Sequence, residues 1–455
     1  MQFDVIGRAT RSGLFAAITS LILTGCATYS SSFKVIEGNL AAQQYDQALQ
    51  ALEKQPPSKT DLALYALNKG MILRMKRDFA GSNQALEQAK AEMERLYAAS
   101  VSENALSFII NDATVSYGGD DFEQVLVHLY MALNYLELGD KDAARVESLQ
   151  VDLKLREIGE KIAGSKYTED AFSLYLSGLI YEDEGEWSDA LISYRQAYEA
   201  YKKYQQDYSL AVPTMLKYDL LRLTKRQGLP QELARYKKEF GLDLSQMPAN
   251  QAGQGELIFV LSNGLVPIKR EKALNSLDPA SGTLVRIALP SYESRSNDVV
   301  AMRISVGEQQ AMSELMENVD GIARASLDSR MPAIMARSIA RAVVKAAASK
   351  KAQQVARNGN NRNNDSSMVG LLGAVAVQVA AYATERADTR SWLTLPANIQ
   401  LARLSLPPGS YTVKAELLDS AGVVVNTREY PGVVIGKGHK TYLTQHWIPA
   451  QTASR

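Results

Sequence analysis

The chain has 455 residues, with 50 basic and 50 acidic side chains and a single cysteine. That length allows two or three domains with real cores, and the balanced charge gives no global signal for nucleic acid. One cysteine excludes an internal disulfide, so stability must come from ordinary packing.

Residues 1–25 have the pattern of a lipoprotein signal peptide. Arg8 and Arg11 precede the apolar run Leu14 to Leu23, which is too short to span a bilayer but suits a signal core. Leu23-Thr24-Gly25-Cys26 then resembles the lipobox of bacterial prolipoproteins, with small residues before a thiol that takes the diacylglycerol. The alternative is a plain secretory signal followed by a chance cysteine. Lipidation at Cys26 would leave residues 26–32 as a short tether, about 20 Å at full extension. Ala27 is not the Asp that resembles an inner-membrane retention signal. In a cell with two membranes, the expected place is the outer membrane, anchored by lipid and facing the periplasm.

From residue 33 to 245 the apolar spacing of three and four predicts amphipathic helices. In Ala171 to Ala197, the residues Gly178, Tyr181, Gly185, Ala190, Tyr194 and Ala197 fall at tetratricopeptide-repeat offsets. Small Gly178 and Ala190 let two helices approach, Gly185 closes the turn, and Tyr181 and Tyr194 fill the seam. Weaker copies carry Ala132, Tyr135, Gly139 and Ala144; Gly70, Leu73, Ser82, Leu86 and Ala89; and Ile36, Tyr45, Ala48 and Leu52. A degenerate one lies around Gly228 and Leu233. Five helical hairpins stacked as a solenoid are expected, a form whose usual purpose is a concave docking surface. Ile36 to Gly70 is 34 residues and Gly70 to Ala132 is 62, so about 28 residues interrupt the array.

The interruption contains Asn111, Asp112, Thr114 and Tyr117, then Gly118-Gly119-Asp120-Asp121. The aspartates read as helix caps. The polar loop before them is the candidate partner-binding site, because long insertions in repeat arrays often lie on the binding face. Tyr194, Tyr198, Tyr201, Tyr204 and Tyr208 form a stripe on one helix face, either core or a stacking ladder for a peptide or glycan.

Seventeen of 22 tyrosines lie before residue 245, and a new pattern begins after it. Residues 253–455 read as a mixed, β-rich α+β domain with sandwich-like strands and two long helices. Glu256 to Ser262, Asn263-Gly264 and Leu265 to Ile268 read as a strand, a hairpin turn and a second strand. Further strands are expected at Thr283–Leu289, Val299–Val306, Ile399–Leu406, Ser410–Leu418, Val423–Tyr430 and Thr441–Trp447. A helix is expected from Pro332 to about Ala356, and a second in the uncharged stretch 366–384, where burial competes with membrane contact. Arg337, Arg341 and Lys345 lie in a run without acid between Asp328 and Asp365. They are candidate contacts for an anionic lipid or glycan, against a plain solvated face.

No nucleophile, metal-ligand spacing or phosphate loop rises above background, so the chain reads as a non-enzyme without cofactor or metal. Gly432 to Gly438 is one residue short of a phosphate loop and lacks its Ser/Thr; an unrecognised carboxylate site is the remaining catalytic alternative. The lipobox, the repeats, the Asn111–Glu123 insert and the Asp388–Pro396 segment together resemble a family of proteobacterial lipoproteins with tetratricopeptide-like repeats. That resemblance implies location and architecture and transfers no catalytic residue. The expected function is a lipid-tethered periplasmic scaffold that docks envelope proteins through the repeat groove. The alternative is a lipid- or glycan-binding module acting through the C-terminal domain.

Overall fold

The computed structural model describes residues 33–100, 115–161, 167, 169–243, 245, 253–278, 283–358 and 384–450. Among those before Gly253, ten helices pair into hairpins: α1 (Lys34–Ala41) with α2 (Tyr45–Glu53), α3 (Leu62–Met75) with α4 (Phe79–Ser100), α5 (Asp121–Glu137) with α6 (Lys141–Lys161), α7 (Ala171–Asp183) with α8 (Trp187–Asp207), and α9 (Thr214–Arg226) with α10 (Pro230–Phe240). Each hairpin packs on the next in chain order. At α7–α8 the reason is visible in the residues. A side chain on Gly178 would place its Cβ 2.3 Å from the Tyr194 ring, so only glycine admits that ring into the seam. Gly185 closes the turn at φ +77°, a left-handed conformation that L side chains rarely adopt. Tyr194, Tyr198, Tyr201, Tyr204 and Tyr208 are all buried, so the stripe is core.

Two four-stranded sheets follow among the described residues. The first has the order β10 (Lys440–Trp447), β1 (Gly255–Asn263), β7 (Asn398–Leu406), β6 (Glu314–Glu317). The second has the order β5 (Gln309–Met312), β4 (Ala301–Val306), β8 (Gly409–Leu418), β9 (Val424–Ile435). β2 (Ile268–Asp278) and β3 (Thr283–Glu293) form a separate antiparallel ribbon packed on α11 (Val319–Asn358). β1 is buried along its whole length, and its period-two alternation serves two cores. Leu257, Phe259 and Leu261 enter the sandwich core with Met302, Ile304, Val413 and Ala415. Ile258 and Val260 join the larger core that contains Leu64, Tyr130 and Tyr175 of the helices.

The inner helices α3, α5 and α7 are consequently buried on nearly every side. One side packs within the repeats and the other lies against the first sheet. A polar seam joins the two layers. Arg403 on β7 reaches Tyr175 Oη at 2.6 Å, Asp219, and Glu256 Oε1 at 2.7 Å through Nη2. Arg222 bridges Glu182 (2.6 Å) and Asp219 (2.8 Å), while Lys440 approaches Glu182 at 3.4 Å and Glu256 at 3.2 Å. Thr444 donates through its backbone N–H and its hydroxyl to Glu137 at 2.6 and 2.7 Å. The inner-helix face that a repeat array normally offers to partners is thus occupied by the chain's own sheet.

Two local expectations change. Asn263-Gly264 does not form a hairpin: Asn263 Nδ2 donates to Val299 O at 2.8 Å and the Gly264 N–H to Trp447 O at 2.9 Å. The chain therefore leaves the sheet there, and β1 pairs with β10 and β7 instead of the next strand. The long helix starts at Val319, well before Pro332, because Asn318 Oδ1 accepts the Gly321 N–H at 3.0 Å and caps its first turn. Pro332 sits inside it, where a proline removes one backbone bond. The second expected helix lies outside the described residues. Among those described, no helix is long and apolar enough to cross a membrane.

Candidate functional site

The described end of the interrupting segment begins at Val115. The Tyr117 N–H donates to Thr60 O at 2.8 Å, which fixes the segment to the start of the α3 hairpin. Gly119 turns at φ +77°, where a Cβ would also meet Met93 Sδ at 2.9 Å. Asp120 then opens α5, and its N–H donates to Glu123 Oε2 at 2.9 Å, half of a capping box.

The Asp120 carboxylate does more than terminate a helix. It is buried and takes Lys269 Nζ at 2.6 Å, Arg330 at 2.8 Å and the Tyr292 hydroxyl at 3.4 Å. Burial alone would raise its pKa, but the Arg330 and Lys269 charges outweigh burial and hold it well below the usual carboxylate range. Glu123, one turn on, is pushed the other way. Burial, and then the Asp120 charge, raise it to about 7. It accepts the Tyr117 hydroxyl and the backbone N–H of Trp392, the latter at 2.7 Å. Arg390 clamps the opposite wall, with Asp388 at 2.7 Å, Asp61 at 3.0 Å and Val115 O at 2.8 Å, over the Tyr117 ring.

Between these walls lies a cleft of about 250 Å³. Segment 115–120, Lys269, Ala288 and Pro290 of the ribbon, Leu327 to Arg337 of α11, and Ala387 to Arg390 line it. Among the described lining residues four cations face two carboxylates: Lys269, Arg330, Arg337 and Arg390 against Asp120 and Asp388. Asp120 is shared by Lys269 and Arg330, and Arg390 is held by Asp388 and Asp61. Arg337 is exposed, with no partner among the described residues.

Of the residues singled out in the sequence, Cys26, Asn111, Asp112 and Thr114 lie outside the described residues. Tyr117 is buried with its hydroxyl committed to Glu123, so it faces inward instead of toward solvent. Arg337 lines the cleft beside that segment, joining two features that are more than 200 residues apart in the chain. Arg341 and Lys345 are instead committed to Glu385. Arg341 is 2% exposed and bonds Glu385 Oε1 at 3.3 Å, and Lys345 Nζ bonds Oε2 at 2.7 Å. They hold the chain where it resumes after α11 and are not available to an outside anion.

Sequence reading missed Arg330, Lys269, Glu123 and Arg390. Only Arg330 left a signal: Leu327, Arg330, Ile334 and Arg337 follow at spacings of three, four and three, one stripe of a helix. Among the described residues, no group of three or more His, Cys, Asp or Glu side chains has the geometry to hold a metal ion.

No protein-family profile and no curated protein sequence matches the chain. Among solved structures it is similar to MamA (residues 41 to the end) from Desulfovibrio magneticus RS-1, at 12% identity and TM-score 0.29, over 48% of this chain and 96% of that one. It is similar to PilF of Pseudomonas aeruginosa at 13% identity and TM-score 0.31, over 52% and 90%. It is also similar to apo RapI at 13% identity and TM-score 0.33, over 50% and 58%. These scores are too low to establish a shared fold.

Proposed function

We propose that the chain is a lipid-tethered adaptor of the cell envelope, anchored through Cys26 on the periplasmic side of the outer membrane, which docks a protein partner at the cleft beside segment 115–120. The observation that carries this reading is the filled inner face of the repeats. With the first sheet seated against α3, α5 and α7, docking moves to the margin of the array, where Arg337 stands without a partner among the described residues. A site on a rigid body of this kind suits a scaffold, since the repeats and one face of the first sheet share a core. Leu23-Thr24-Gly25-Cys26 supports the tether and Ala27 the outer-membrane address. Crosslinking and pull-down of the tethered chain from membranes should recover a stoichiometric protein, and recovery should drop for Arg337→Glu. An Arg337→Glu variant that captures the same protein in the same yield would move docking away from the cleft. A second reading, lipid contact by the C-terminal region, rests on Met335, Ile339, Val343 and Val344, which stand exposed on α11. Flotation of the chain with anionic vesicles, reduced by Val343→Glu, would favour it.

A further inference from the structure

We infer that the cleft recognises an acidic peptide segment, bound by carboxylates that engage Arg337 and Arg330; this rests on the adaptor reading and names the chemistry of its partner. Arg330 and Arg337 are seven residues apart on α11, two helical turns and about 10 Å along one stripe. Ile334 lies between them on that stripe, and Leu327, Ala288 and Pro290 add apolar wall. Arg330 spends one terminal nitrogen on Asp120 and its Nε on Ser326 O at 3.3 Å. Its other terminal nitrogen has no partner among the described residues. The stripe therefore offers a cation, an apolar step and a second cation, above a cleft whose described lining holds four cations and two carboxylates.

Size decides between ligand classes. At about 250 Å³ the cleft is below the roughly 300–1,000 Å³ typical of sites that enclose a small molecule. It has room for two or three side chains of a segment lying across it. Two cations about 10 Å apart are too widely spaced for one phosphate or one lipid headgroup to bridge, but they match carboxylates separated along a peptide. Three of the four exposed large apolar side chains described on α11 do not help a headgroup either, and only Val344, seven residues beyond Arg337, continues the stripe. Met335, Ile339 and Val343 project from a different side of the helix than the Arg330–Arg337 stripe, at 100° per residue.

The test is fluorescence anisotropy on the full chain in detergent, using a labelled, C-terminally amidated decapeptide of alternating Glu and Leu and its Gln-for-Glu analogue. The Glu peptide should bind, the Gln analogue should bind about tenfold more weakly, and Arg337→Glu should cost the Glu peptide about tenfold, the scale of a lost charge-assisted bond. Lys238→Glu, at an exposed position on α10, should change nothing. Equal affinity for the Gln analogue, or an Arg337→Glu variant that binds normally, would overturn the inference. So would binding of anionic phospholipid vesicles or inorganic phosphate, lost with Arg337→Glu, when the peptide does not bind. Peptide binding that behaves as expected while pull-down recovers no partner would count against the adaptor reading and leave the cleft chemistry standing. A captured partner insensitive to Arg337→Glu, with no peptide binding, would do the reverse.

Discussion

The backbone N–H of Trp392 donates to Glu123 Oε1 at 2.7 Å, tying the chain beyond α11 to the first turn of α5. Trp392 is fully buried, edge-on to Tyr130 at 6.1 Å, so this bond lies at the centre of the contact between repeats and sandwich. The carboxyl that accepts it titrates at about 7, raised by burial and by the Asp120 charge.

Stability should therefore depend on pH near neutrality. The folded chain keeps a proton on Glu123 that the unfolded chain has released above about pH 4.5, so stability falls as pH rises from about 5 to 8. The effect is on the order of a few kcal/mol at about 1.4 kcal/mol per unit. Glu123→Gln, neutral at every pH, should flatten that limb of a plot of melting temperature against pH. An equal slope in the variant would assign the proton elsewhere.

Gly178→Ala should destabilise the chain by about 1–3 kcal/mol, the cost of overpacking a filled seam. The new methyl would meet the Tyr194 ring, which cannot step aside, because it is buried and its hydroxyl donates to Glu182 Oε2 at 2.7 Å. Gly38→Ala in α1 meets nothing within 4 Å and should instead gain up to about 1 kcal/mol in helix propensity. Denaturant unfolding of the two variants should give shifts of opposite sign.

Arg403→Met should cost up to about 3–5 kcal/mol, since it leaves buried Asp219 to Arg222 and buried Glu256 to Lys440. The same seam should weaken in acid. Burial would raise Glu182 and Glu256, but the cations around them, Lys440 and Arg222 for the first and Arg403 and Lys440 for the second, lower both. Their stabilisation is thus complete above the ordinary carboxylate range and is lost as pH falls through the lowered values. Urea midpoints at pH 7 and pH 3.5 should converge in Arg403→Met relative to the unchanged chain. A midpoint at pH 7 within experimental error of the unchanged chain would show that the seam adds no net stability.

Cys26→Ser should abolish incorporation of labelled fatty acid and leave unprocessed chain, because a hydroxyl is a far weaker nucleophile than a thiolate. Undiminished labelling of Cys26→Ser would remove the basis for the tether.

The repeats and most strands were legible in the sequence because their signals are local. Gly178 and Tyr194 sit at fixed offsets on two adjacent helices, and the alternation at Ile399–Leu406 marks a strand whatever its neighbours are. Asn263-Gly264 misled for a related reason: the dipeptide has the composition of a hairpin turn, but Val299 and Trp447 decide where the chain goes. The cleft was half legible. Arg337 stood out in a run without acid, whereas Arg341 and Lys345 stood out equally and are neutralised by Glu385, 40 residues or more away in the chain. Lys269, Asp120 and Arg330 meet from three separate elements, and no spacing in one sequence encodes that meeting. The closed inner face was invisible for the same reason, since a repeat pattern does not say whether its groove is vacant.

β1 is paired on one side by β7 and on the other, in parallel, by β10. From Phe240, which ends the array, to Lys440, which opens β10, there are 200 residues. At about 5–20 residues per second of synthesis, roughly 10–40 seconds separate the end of the array from β10. A chain that lacks β10 leaves α5 without the strand that packs on it and β1 with an open edge. A chaperone or protease therefore meets an unfinished molecule that looks unfinished, and every chain cut short of β10 carries the same mark. Arrival of β10 pairs that edge of β1 and covers α5, so any truncation before Lys440 leaves both exposed.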